Sequence, residues 1–229
     1  MFNRKQLARL IWPLIVEQFL AVAIGMADTV MVTSCGEAAV AGVSLVDSIN
    51  VLLINIFSAL ATGGAILASQ YIGRQDKEQA NVAAKQLVLV TAGISVLVMA
   101  ICLFANASLL HMVFGEAEAD VMTNAETYFF WSALSYPFLA LYNAGAALFR
   151  AMGNSRISMF TALLMNALNI GGNALLIYGM NMGVAGAAIA SLVSRFVGAA
   201  IMLALLRLRH QMIRLDSLIR LGFHPPMIR

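Results

Sequence analysis

GMADTVMV, residues 25–32, sets an aspartate, Asp28, inside an apolar run that extends over 7–33. The side chains around it are Ala, Gly, Met, Val and Thr, none of which neutralises a carboxylate. Whether that run is a buried core helix or a membrane span decides the fold. Its length favours a span, because about 20 apolar residues cross the ~30 Å hydrocarbon core of a bilayer.

The rest of the chain agrees. Of 229 residues, 61% are hydrophobic and 11% charged. Ordinary soluble domains hold about 45–50% apolar and about 25% charged residues. The mean hydropathy of +0.86 points the same way. Six stretches are long enough to cross: 7–33, 45–72, 86–114, 127–149, 157–179 and 184–206. They are continuous and lack the period-two alternation of barrel strands, so they are read as helices. The first is too long for the apolar core of a signal peptide and is read as a retained helix. The expectation is an all-α polytopic membrane protein: a six-helix lobe over residues 1–206 and a basic cytoplasmic linker over 207–229.

Charge orients the lobe. Arg4, Lys5 and Arg9 open the first span, and Arg74, Lys77 and Lys85 lie between the second and third. Arg150 and Arg156 bracket the link from four to five, and Arg207, Arg209, Arg214, Arg220 and Arg229 follow the sixth. The alternate links, 34–44, 115–126 and 180–183, carry no Lys or Arg, and the middle one is acidic, with Glu116, Glu118, Asp120 and Glu126. The bias of positive charge toward cytoplasmic loops puts both termini in the cytoplasm of a cell-membrane protein. The net charge of +3 and the pI near 9.1 follow from that topology and do not imply nucleic acid. The tail suits anionic headgroups. Two cysteines, Cys35 and Cys102, make no disulfide framework or metal motif.

Ionisable groups at membrane depth face a cavity or a partner. Three are expected there: Glu17, Asp28 and Arg195. Glu17 and Asp28 return to within about 20° of one helix face, roughly 16 Å apart along the axis. Gln18 adds to that polar stripe, and Pro13, one turn earlier, is a candidate hinge because it lacks an N–H and clashes with the preceding turn. Asn166, Asn169 and Asn173 share a face of the fifth span, and Ser191 and Arg195 share one of the sixth. The second span carries Asn55, Ser58, Thr62 and Ser69; the fourth carries Ser132, Tyr136 and Asn143. Such residues also act as interhelical hydrogen-bonding glue, the reading taken for Ser58 and Ser132. Glycines 63, 64, 183 and 186 are read as points of close helix approach. Arg195 either neutralises Glu17 or bonds carbonyls. An apolar cavity with aromatic walls and a carboxylate suits lipophilic cations. Phe19, Tyr136 and Tyr142 are candidates for such walls.

Five elements, in register along the chain, resemble one family. They are Pro13 with GMADTVMV; ATGGAILASQYIGRQDKEQA (61–80); LSYPF with LFRAMGNSRISM; NALNIGGNALLIYG (166–179); and MGVAGAAIASLVSR (182–195). Together they resemble the multidrug and toxic compound extrusion (MATE) family of cation-coupled exporters. The resemblance spans the chain but only the amino-terminal lobe of a twelve-helix, two-lobe architecture, so a second lobe, in the same longer chain or a second copy, is expected as partner. It implies that Asp28 is the lobe's cation-coupling carboxylate, with Asn169, Asn173 and Ser191 as partners and Glu17, Gln18, Tyr136 and Tyr142 around the substrate cavity. The family often has Asp where Asn173 stands and Thr where Ser191 stands. One formal charge is therefore missing, and the coupling ion is left open between a proton and a sodium ion held by Asp28, Asn169 and Asn173. No other cofactor is implied. The expected function is antiport of bulky lipophilic, often cationic compounds. A lipid-linked saccharide flippase of the same superfamily would call for several cavity Arg or Lys, where sequence offers only Arg195. A six-helix membrane enzyme using Glu17 and Asp28 meets the obstacle of their ~16 Å axial separation.

Overall fold

The computed structural model describes residues 4–115, 117–208 and 213. The basic residues Arg209, Arg214, Arg220 and Arg229, most of the expected linker, and Glu116 lie outside the described residues. Those described form seven α-helices and no strand: α1 (Arg4–Val32), α2 (Glu37–Gly73), α3 (Lys77–Phe104), α4 (Asn106–Phe114), α5 (Ala119–Ala151), α6 (Ser155–Asn173) and α7 (Gly183–Leu206). A short 3₁₀ turn, Thr33–Cys35, joins α1 to α2, and a π-helical stretch, Ala174–Gly179, extends α6.

Local chemistry sets several boundaries. Asp76 caps α3 by accepting the Gln79 backbone N–H at 3.1 Å, which satisfies one of the orphan donors of a helix start. Gly153, at φ 76°, makes the turn between α5 and α6 in a region that disfavours other residues. The expected third span, 86–114, divides at Ala105, whose N–H still reaches Ile101 O while α4 begins beyond it.

Among the described residues, five helices are long and apolar enough to cross a membrane: Ile11–Cys35, Glu37–Gly73, Lys77–Phe104, Ser155–Gly179 and Gly183–Leu206. The expected fourth span, 127–149, lies within α5, which is not among them. Between Thr127 and Phe149 that helix carries Trp131, Ser132, Ser135, Tyr136, Pro137, Tyr142 and Asn143, which dilute its hydropathy. The packing explains why it tolerates them. α5 sits in the middle of the lobe, against α2, α7 and α3, and buries residues along its whole length.

The remaining helices are hung from this centre. α2 packs on α5 and α3, α7 on α5 and α6, and α1 chiefly on α6. Between α1 and α2 the contact is thin, and a seam stays open along their length. Small residues bring backbones together where the order demands it. A Cβ on Gly42 would stand 2.8 Å from Val121 O of α5, and one on Gly172 of α6 would stand 2.9 Å from the Ala190 Cβ of α7. Cys35 is exposed, Cys102 is buried, and both are free.

Candidate functional site

The α6–α7 approach at Gly172 and Ala190 sets the spacing on which the site depends. It brings Asn169 and Asn173, one turn apart on α6, against Ser191 of α7. α1 then lowers Asp28 onto them. Asp28 is 4% exposed, and its Oδ1 accepts Asn173 Nδ2 at 2.5 Å while Oδ2 accepts Ser191 Oγ at 3.0 Å. Asn169 stands behind, donating Nδ2 to Ser191 Oγ at 2.9 Å and accepting Asn173 Nδ2 at 3.5 Å. Asn173 Oδ1 is buried and has no partner among the described residues. The π-helical stretch begins one residue later, so the cluster lies at the change of helical pitch. Its wider hydrogen-bond step is seen where Met180 N–H reaches Leu175 O at 3.0 Å. Asn166, the third of the triplet, turns back to Ala162 O at 3.0 Å and stays out of the cluster.

Two spaces with shared walls border these residues. The outer one, about 580 Å³, runs along the α1–α2 seam and is lined by Asp28, Asp47, Asn50, Asn55, Tyr128 and Arg195 among others. The inner one, about 190 Å³, is lined by Glu17, Gln18, Tyr142, Asn143, Arg150 and Ser191 among others. Ile24, Ile54, Asn55 and Arg195 belong to both walls.

Several sequence expectations need correction. Glu17 is not neutralised by Arg195: its Oε1 pairs with Arg150 Nη1 at 2.9 Å and accepts the Tyr142 hydroxyl at 3.5 Å. Arg195 instead donates Nη1 to Ser135 Oγ at 2.6 Å. Tyr136 is fully buried and lines neither space. Its hydroxyl donates to Asn50 Oδ1 at 2.9 Å and its ring lies 6.3 Å from that of Phe57, because this face of α5 is turned onto α2. Phe19 points out of the lobe, 73% exposed. Asp47 also stands in the cleft. Half-buried, it accepts Asn50 Nδ2 at 3.2 Å and Tyr128 OH at 3.5 Å in the wall of the outer space.

Arg150 was missed as a site residue, since its place at the end of a span reads as a topology charge. The available signal is its spacing of seven from Asn143 and eight from Tyr142, which returns it to their helix face. Two guanidiniums, not one, therefore border the cleft.

The order of these helices and residues matches a known family. The family model for MatE matches residues 13–175. The chain belongs to the MatE family. Over 208 residues it is 32% identical to an uncharacterized transporter, YisQ, of Bacillus subtilis (strain 168), covering 89% of this chain and 45% of that protein. Over 206 residues it is 27% identical to a probable multidrug resistance protein, NorM, of Thermotoga maritima, covering 87% of this chain and 43% of that one. A crystal structure of MATE in the bent conformation superposes with a TM-score of 0.91 at 23% identity, over 98% of this chain and 50% of the other. The chain thus spans about half the length of the curated relatives it matches. MatE proteins are transporters and not enzymes, so the reading of Glu17 and Asp28 as an acid–base pair falls.

Proposed function

We propose that this chain is the amino-terminal lobe of a cation-coupled antiporter that exports bulky lipophilic, often cationic organic compounds across the cell membrane, with both termini in the cytoplasm. The observation that carries the reading is the Asp28 cluster: a buried carboxylate in the wall of a cleft, gripped from two other helices by Asn173 and Ser191. The relatives named as multidrug resistance and multidrug export proteins support the class of cargo.

The cluster suits a coupling role because its hydrogen bonds depend on the charge state of one group. With Asp28 ionised, both of its oxygens accept. A proton turns one of them into a donor facing another donor, Asn173 Nδ2 or Ser191 Oγ. The Ser191 hydroxyl can rotate, and Asn173 can turn its unpartnered Oδ1 toward the new O–H. Sodium would ask for the same rotation, since a hard cation takes oxygen ligands. Asp28, Asn169 and Asn173 supply them, with one carboxylate charge between them. Either ion thus replaces the fastening of α1 to α6 and α7, while Pro13 gives α1 a place to bend. A cationic substrate in the cleft favours ionised carboxylates and a coupling proton opposes it, so the two ligands compete.

The test is efflux from cells or liposomes by the full two-lobe transporter. Asp28→Asn keeps the shape and loses the exchangeable proton, so coupled efflux should vanish or fall strongly while folded protein persists. Asn173→Ala should reduce it less. An Asp28→Asn protein with unchanged efflux and unchanged pH dependence overturns the assignment.

A further inference from the structure

At the end of the cleft nearer Pro13 lies a second carboxylate that the coupling cluster does not use. Glu17 is 7% exposed. Its two oxygens differ sharply. Oε1 is taken by Arg150 and the Tyr142 hydroxyl, whereas Oε2 is buried and without a partner among the described residues, in a side chain that borders the inner space. A buried carboxylate oxygen left without a donor costs about 1–3 kcal/mol or more, so half of this group is poised for a ligand.

Arg150 is the less securely held half of the pair. Its side chain is 26% exposed against 9% for Glu17, and it sits one residue from the end of α5 at Ala151. A guanidinium released there can turn toward water at the helix end. The cleft that it leaves is acidic on balance. Glu17, Asp28 and Asp47 line the two spaces, with Arg150 and Arg195 opposing them, and Arg195 is tied to Ser135.

We propose that Glu17 is a binding carboxylate for the positively charged head of the substrate, and that Arg150 is a tethered competitor that occupies it until a cation arrives. This rests on the reading of the chain as a lobe that handles organic cations. An entering cation displaces the guanidinium from Oε1 and gains the unpartnered Oε2 as well. The resting ion pair keeps Glu17 from standing charged and alone at membrane depth, and it sets the affinity that a substrate must exceed to bind.

The experiment measures equilibrium binding of radiolabelled tetraphenylphosphonium to the chain in lipid nanodiscs. Freeing Glu17 by Arg150→Gln should tighten binding about tenfold, as expected when an occluded site becomes competent. Arg150→Lys, which cannot fork onto a carboxylate, should fall between. Glu17→Gln should weaken binding, and Glu17→Gln with Arg150→Gln should bind like Glu17→Gln alone. Thermal melts of each variant identify any loss of fold. Unchanged or weaker binding by a folded Arg150→Gln overturns the proposal, as does absence of binding in both wild type and Arg150→Gln. A double variant that gains as much as Arg150→Gln also overturns it, since only net charge would then matter. Asp28→Asn should preserve the ratio between Arg150→Gln and Arg150 proteins, so failure of the coupling assignment reads separately.

Discussion

Asn173 donates to Asp28 from a position where an acidic side chain would face it across a single hydrogen bond. Asn173→Asp would set two carboxylates side by side, and like charges at that range oppose joint ionisation. We expect that variant to melt at lower temperature than wild type in sodium-free buffer at neutral pH, and to recover as sodium is added, because a ligand that binds only the folded form stabilises it. Thermal unfolding in sodium against choline salts reads this directly; no sodium effect in the variant would refute it. At this scale the sequence was legible wherever a polar residue was out of place. Asp28, Asn169, Asn173 and Ser191 stand in apolar runs at helical spacing, and they meet. Arg150 was not legible, because a basic residue at the end of a span already has an explanation. Tyr136 was misread because an aromatic facing a cavity and one facing a neighbouring helix follow the same spacing.

Among the elements, the α6–α7 pair carries the strictest demand on packing. Gly172 leaves room for Ala190, and the separation so fixed lets Asn169 reach Ser191. Gly172→Val should force the helices apart and cost about 1–3 kcal/mol, the usual range for overpacking. A melting temperature within error of wild type would contradict that packing role. The long apolar runs announced most of the helices, but two features escaped. The break at Ala105 turns the backbone of one residue, and the π-helical stretch after Asn173 widens the hydrogen-bond step by one; both leave the composition unchanged. α5 shows the converse: its polar content weakens the hydropathy signal of a span, and its central packing explains how it tolerates that content.

For the whole molecule the expected orientation can be checked with single cysteines at Glu118 and Asn154, in a background lacking Cys35 and Cys102. Impermeant reagents should label Glu118Cys from outside and Asn154Cys from inside; the reverse would invert the topology. Alternating access needs two units about a shared pathway. Liposomes holding the 229-residue chain as a demonstrable monomer should therefore show no efflux, and robust efflux would contradict the need for a second lobe. One last consequence concerns how α1 is fastened. It packs on α6, touches α2 thinly, and is held by polar grips that include Glu17 to Arg150 and Asp28 to Asn173 with Ser191. An apolar seam is blind to what is dissolved nearby, whereas a carboxylate changes partners with every ion offered to it. On the proposed antiporter reading, the position of this helix would respond to solute concentrations on either side of the membrane, and a chemical gradient would do mechanical work on the fold.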